Sequence, residues 1–213
     1  MQRVSYDSAI FINCPFDKSY ESLLEAAIFC CVYLGFHPQL ATISLEAGEN
    51  RFNKIVELIK QSKYSIHDLS RCKAVRKGDS FRMNMPFEFG LDFGLRLSGN
   101  TKYRQKKFLV FEKNRFDLKS SLSDIAGQDA ECHEDSFELI VQKTRHFLRV
   151  EAKIDAPGPK QIIADYAAFQ AWYFQKKIGE GHSEEEAINL PTLERIEEMQ
   201  VWLAMGKPDP VVT

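Results

Sequence analysis

YSIHDLSRCKAVRKGDSFRMNMPFEFGLDFGLRLSGNTKYRQKKFLVFEK, residues 64–113, holds two short apolar runs separated by a long helical pattern. YSIHDLS (64–70) reads as a strand with polar residues at its end. MPFEFGLDFGLRLS (85–98) reads as a helix with Pro86 in its first turn, where a missing N–H is tolerated. KKFLVFEK (106–113) reads as the following strand. Strand, helix and strand in that order make the unit from which parallel sheets are built.

The pattern extends towards the N-terminus. AIFINC (9–14) is a buried strand bounded by Pro15, and YESLLEAAIFCCVYLG (20–35) has helical apolar spacing with Gly35 as its C-terminal cap. Asp17 or Ser19 is the expected N-cap of that helix. PQLATIS (38–44) is a second strand, followed by the polar loop 45–50. RFNKIVELIKQS (51–62) is an amphipathic helix whose expected buried stripe is Phe52, Ile55, Val56 and Ile59. Beyond residue 115 come a loop (122–129) and a helix, SFELIVQKTRHFLR (136–149). A Pro/Gly linker (151–160) leads to two more helical patterns, 162–177 and 190–204. The expected organisation is an α/β domain over 1–150 and a linker with a helical tail over 151–213.

Composition excludes several classes. With 44% hydrophobic and 27% charged residues the chain is not globally disordered. A net charge of −2 gives no general attraction to nucleic acid or an anionic membrane. Five cysteines, an odd number with no C-x-x-C pair, argue against a disulfide framework and a structural zinc site, and the histidines lack metal-ligand spacing. The N-terminus lacks the apolar core of a signal peptide, and no apolar run approaches the ~20 residues of a membrane span. A reducing, cytoplasmic setting is the expectation.

In an open parallel sheet, ligands bind beyond the carboxyl ends of the strands. The segments there are NCPFDKSY, LEAGENR, HDLSR and EKNRFD, with the start of the 85–98 helix beside them. Glu88 lies between Phe87 and Phe89 near that helix start, so it is a carboxylate either in an apolar cleft or complementing the helix dipole. Gly90 and Gly94 share one helix face, which implies close approach of a ligand or tight packing on the sheet. Asp68 ends a strand, as a cap or a reactive group, and Ser70 and Arg71 follow it. Asn13, Cys14, Pro15, Phe16 and Asp17 form a loop with Tyr20 just beyond; Phe16 suits stacking on a flat ring and Asp17 suits a sugar or a cap. Cys14 as a nucleophile, Asp129 with His133 on one helix face, and the basic run Arg71, Lys73, Arg76, Lys77 and Arg82 are further candidates. Their plainer readings are core filler, a surface contact and a solvated loop.

These motifs resemble a known family. FINCPFD followed by Y-x-x-x-L-x-x-A, then HDLSR, NMPFEFGL and KKFLVF, resemble the nucleoside 2-deoxyribosyltransferases over about residues 9–115. The resemblance makes Glu88 the nucleophile at the anomeric carbon and puts Asp68 near the base and sugar. FIN, IVELIKQS and Glu88 are similar to the corresponding elements of Toll/interleukin-1 receptor (TIR) domains, whose bacterial members often act on NAD and in anti-phage defence. Both families imply a flavodoxin-like three-layer α/β fold, with a mostly parallel sheet of about five strands, and N-glycosidic chemistry; here the C-terminal helices would extend it. The stretch Ser80–Asn84 lacks the acid that the transferases carry before their glutamate, and the TIR pattern S-x-W-C-x-x-E is absent.

Cleavage of a ribosyl bond develops positive charge on the sugar, which a carboxylate stabilises or captures. Glu88 is assigned that role, and Asp68 proton supply or sugar orientation. Asn13, Pro15, Phe16, Asp17, Tyr20, Arg51, Ser70, Arg71, Asn84, Met85 and Phe87 are the expected substrate contacts: Phe16 or Phe87 stacks on the base and Arg51 or Arg71 meets a phosphate. No metal or cofactor is expected; NAD or another nucleotide is the substrate or ligand. A second copy of the chain and a partner protein are the expected protein partners. The competing readings are a non-catalytic nucleotide-binding or protein-interaction module, and an oligomerisation subunit in which VWLAMG (201–206) and Trp172, Tyr173 and Phe174 form an interface; the plainer reading of those residues is that they cover the core.

Overall fold

The computed structural model describes residues 4–43, 48, 50–72, 83–120, 122–123 and 129–209. Its strands are β1 (Ala9–Asn13), β2 (His37–Gln39), β3 (Tyr64–Asp68), β4 (Lys107–Glu112) and β5 (Ala130–Cys132). Its helices are α1 (Glu21–Tyr33), α2 (Arg51–Gln61), α3 (Asn84–Leu97), α4 (Phe137–Glu151), α5 (Pro159–Gly179), α6 (Glu184–Ile188) and α7 (Thr192–Ala204). The sheet order is β2-β1-β3-β4-β5 and every neighbouring pair is parallel. That is the flavodoxin-like order, with helices on both faces.

Side-chain alternation assigns the faces. Ile10, Ile12, Ile66, Leu109 and Phe111 join the core against α1 and α4. Phe11 turns the other way onto Ile55 and Ile59 of α2, and Val110 onto Met85 and Phe89 of α3. Within the sheet Asn13 lies opposite His67, and Asp68 opposite Phe111. The ends of β1 and β3 are therefore side by side, with Asn13 and His67 facing α3 and Asp68 facing α1.

Helix α1 is buried nearly all round because it is covered twice, by the sheet on one side and by α5 and α7 on the other. Phe29 meets the rings of Tyr33, Tyr166, Phe169 and Trp202 at 5.0–6.1 Å. The C-terminal helices thus add a fourth layer that shares the principal core. Trp172 and Tyr173, candidates for an interface, are buried in that core. The end of α1 is closed by Gly35 at φ +83°, with Phe36 N–H donating to Cys31 O and Gly35 N–H to Val32 O. This is a Schellman closure, which favours glycine at that position.

Several sequence expectations are corrected. Strand β2 is only three residues long, and β5 is a short edge strand between the expected loop and helix, in a stretch with no expected element. Phe52 is 47% exposed, because the first turn of α2 stands at the rim of the sheet and not over it. Gly90 and Gly94 are exposed, and a Cβ at either would meet nothing within 4 Å, so neither marks tight packing. Asp129 and His133 flank β5 and do not share a helix face. Neither Asp17 nor Ser19 caps α1: a 3-10 turn, Lys18–Tyr20, intervenes, and Asp17 precedes that turn with no side-chain capping hydrogen bond to it.

Candidate functional site

The crevice beyond the ends of β1 and β3 is a cleft of about 380 Å³. Asn13, Cys14, Pro15, Phe16 and Asp17 line it from the end of β1, Arg51 from α2, and Met83, Asn84, Met85 and Glu88 from the start of α3. Of the residues named from sequence, Asn13, Pro15, Phe16, Asp17, Arg51, Asn84, Met85 and Glu88 are therefore brought together. A cavity of about 390 Å³ at the β4–β5 edge contains Asp129 but none of the strand-end residues of β1 or β3.

Glu88 lies one turn into α3, partly buried, and its burial pushes the carboxyl up to about 7, with Arg51 opposing the rise. Arg51 is the first residue of α2, placed there by Asn50, whose side chain accepts from Phe52 N–H (3.0 Å) and Asn53 N–H (3.2 Å). Phe16, 45% exposed, offers a ring at the mouth. The cleft thus combines a desolvated carboxyl, a guanidinium and a flat apolar surface.

Asp68 is placed elsewhere. It is fully buried on the α1 face, where Tyr20 Oη donates to Oδ2 (2.5 Å), Ser70 N–H donates to Oδ1 (2.9 Å) and His133 Nε2 lies 3.2 Å from Oδ2. The strand pleat, which alternates sides, turns it away from the helix that carries Glu88. The Tyr20 hydroxyl and the Ser70 backbone N–H are thus engaged in holding Asp68. Arg71 bonds Asp17 (3.1 Å) and Ser19 Oγ (2.7 Å), so it braces the loop from behind. Phe87, the alternative stacking ring, points outward and meets Phe52 at 6.0 Å. None of Tyr20, Asp68, Ser70, Arg71 and Phe87 lines the cleft. Lys73, Arg76, Lys77 and Arg82 lie outside the described residues.

Sequence reasoning missed the layer beneath Asn13. His67, Asp92 and Lys106 are all buried to 1% or less. Asn13 Nδ2 donates to Met85 O (2.9 Å) and lies 3.0 Å from His67 Nδ1; His67 Nε2 lies 3.2 Å from Asp92 Oδ2. Ser65 Oγ donates to the same Asp92 oxygen (2.5 Å), and Lys106 Nζ lies 3.0 Å from Asp92 Oδ1. Lys106 also donates to Ile59 O (2.7 Å) and to Ser62 O. Burial acts to raise the Asp92 carboxyl, but His67, Lys106 and Ser65 hold it below the usual carboxylate value. The available signal was an acid on the apolar side of α3, between Phe89 and Phe93.

No family model, curated protein or solved structure matches the chain. The chemistry of the cleft therefore rests on its own residues. Burial, with Asp68 and Glu88 adding to it, pushes the Cys14 thiol well up, away from the thiolate a nucleophile requires. Among the described residues no three His, Cys, Asp or Glu side chains are grouped to hold a metal, and no helix is long and apolar enough to cross a membrane.

Proposed function

We propose that the chain cleaves the N-glycosidic bond of a nucleotide-type substrate, with NAD hydrolysis as the leading case and Glu88 as the reactive carboxylate. The observation that carries this reading is Glu88 itself: a partly buried carboxyl raised to about 7, in the crevice where the fold accepts ligands. A carboxylate in such a place is partly stripped of water, so it gains when positive charge develops beside it. A ribosyl oxocarbenium supplies that charge.

The arrangement favours a base that leaves without being protonated. Asp68 is turned to the other face of the sheet and Asp17 is held by Arg71, so among the described residues Glu88 is the cleft carboxyl left for a ligand. In NAD the C–N bond pair returns to the pyridinium nitrogen, and nicotinamide departs neutral. The anomeric carbon is captured by Glu88 or directly by water, and water yields ADP-ribose with loss of one proton. Arg51 suits the pyrophosphate and Phe16 a flat ring.

A binding module of the same fold would use the same groups, with Glu88 gripping a sugar hydroxyl. Incubation of NAD with wild type and Glu88→Gln, with products separated by chromatography, tests the assignment. Nicotinamide release by wild type alone supports the enzyme. Ligand binding without release by either supports the module.

A further inference from the structure

Asn13 sits at the edge of the cleft and is 3% exposed. An amide nitrogen has two hydrogens, and Asn13 has two partners for them, Met85 O and His67 Nδ1. Met85 O can only accept, so the nitrogen and not the oxygen of the carboxamide faces it. His67 Nδ1 must then accept as well, and its one proton sits on Nε2, pointed at Asp92 Oδ2. Ser65 and Lys106 fix the Asp92 oxygens in turn. The rings of Phe11, Phe89 and Phe108 pack around the imidazole at 4.9–6.0 Å and keep water from supplying another arrangement. Read outward, the chain of donors and acceptors leaves one group of Asn13 for the cleft, the oxygen Oδ1.

We propose that Lys106, Asp92 and His67 are positioning residues that fix the polarity of Asn13, making the cleft wall beside Glu88 a hydrogen-bond acceptor for a sugar hydroxyl. A carboxylate or an esterified pyrophosphate, having no proton to offer at neutral pH, is disfavoured at that wall and directed to Arg51 across the cleft. The ligand class this selects is a phosphorylated riboside held with its hydroxyls towards β1 and its phosphate towards α2. The ligand half of the inference rests on the functional reading above; the relay does not.

Two measurements test it separately. Nitrogen NMR of histidine-labelled wild type at neutral pH is expected to show His67 protonated at Nε2 and bare at Nδ1. A proton on Nδ1, alone or with Nε2, overturns the relay. Calorimetric titration then compares ADP-ribose with inorganic pyrophosphate on wild type and His67→Phe, which removes the acceptor from Asn13 and keeps the ring. Loss of one oriented hydrogen bond is expected to weaken ADP-ribose about threefold to tenfold and to leave pyrophosphate within about twofold. Parallel loss of both ligands, or loss of neither, overturns the assignment of Asn13. If wild type binds neither probe, the sugar-facing assignment falls together with the functional reading, and the tautomer still decides the relay.

Discussion

A carboxylate held out of water, as at Glu88, works against the fold when it is charged. Its pKa of about 7 lies above the ordinary glutamate value, so the folded state prefers the protonated form. The linked stability is complete at acid pH and is lost as pH rises from about 4.5 through about 7. Glu88→Gln keeps the shape without the charge. It should stabilise the protein by about 1–2 kcal/mol at pH 8 and leave it unchanged at pH 4, read from thermal melts at both pH values. The same variant should lose roughly 10²–10⁴-fold in base release, and wild-type activity should rise with pH through about 7 as the carboxylate forms. A variant both more stable and inactive marks a group kept at a cost to the fold.

The buried pair Lys106–Asp92 gives a second residue-scale prediction. Lys106→Met alone strands a buried carboxylate and should cost about 3–5 kcal/mol, whereas Lys106→Met with Asp92→Asn should cost clearly less, by urea denaturation. Glu88 was legible in sequence because a helix start after a strand fixes where it must lie. Asp68 was legible as a strand end, but its face depends on the pairing register, since one step along the pleat reverses a side chain. His67 read as part of a strand, and nothing local to it reports Asp92 and Lys106, which arrive 25 and 39 residues later.

At the scale of elements, the cleft is the junction of three termini: the end of β1, the start of α2 and the start of α3. Asn13 ties the first to the third through Met85 O, and Asn50 orients the second. Asn50→Ala should destabilise the chain by about 1 kcal/mol and raise KM for a phosphate-bearing substrate with little change in kcat, while Asn50→Asp should retain stability. Helices and long strands were readable because their periods persist over several turns or pleats. Strand β5 was not, because three partly exposed residues, Ala130, Glu131 and Cys132, carry no period. Phe52 followed the helical stripe of α2 yet is exposed, since periodicity gives a face and not how far the sheet extends beneath it.

For the whole molecule, α5 and α7 are structural. They close the side of α1 that the sheet leaves open, and Arg195 with Glu25 and Tyr166 with Glu25 add polar ties at the rim. Phe29→Ala should cost about 3–5 kcal/mol, because it opens a void among four rings, and calorimetric or denaturant unfolding will measure it. Ending the chain at residue 158 should give insoluble protein, since Leu23, Ala27 and Phe29 belong to a core that these helices cover. The apolar stripes of 162–177 and 190–204 were visible in sequence, but a stripe does not name its partner, and a core contact and an interface read alike.

The most direct measurement is the release of nicotinamide from NAD by the full chain at high protein concentration and pH 8, for wild type and Glu88→Gln, with ADP-ribose binding measured on both. Release by wild type, its loss in the variant and retained binding by the variant are the predicted result. Equal release by both proteins, or none by a wild type that binds ADP-ribose, would contradict the assignment of Glu88 to the chemistry.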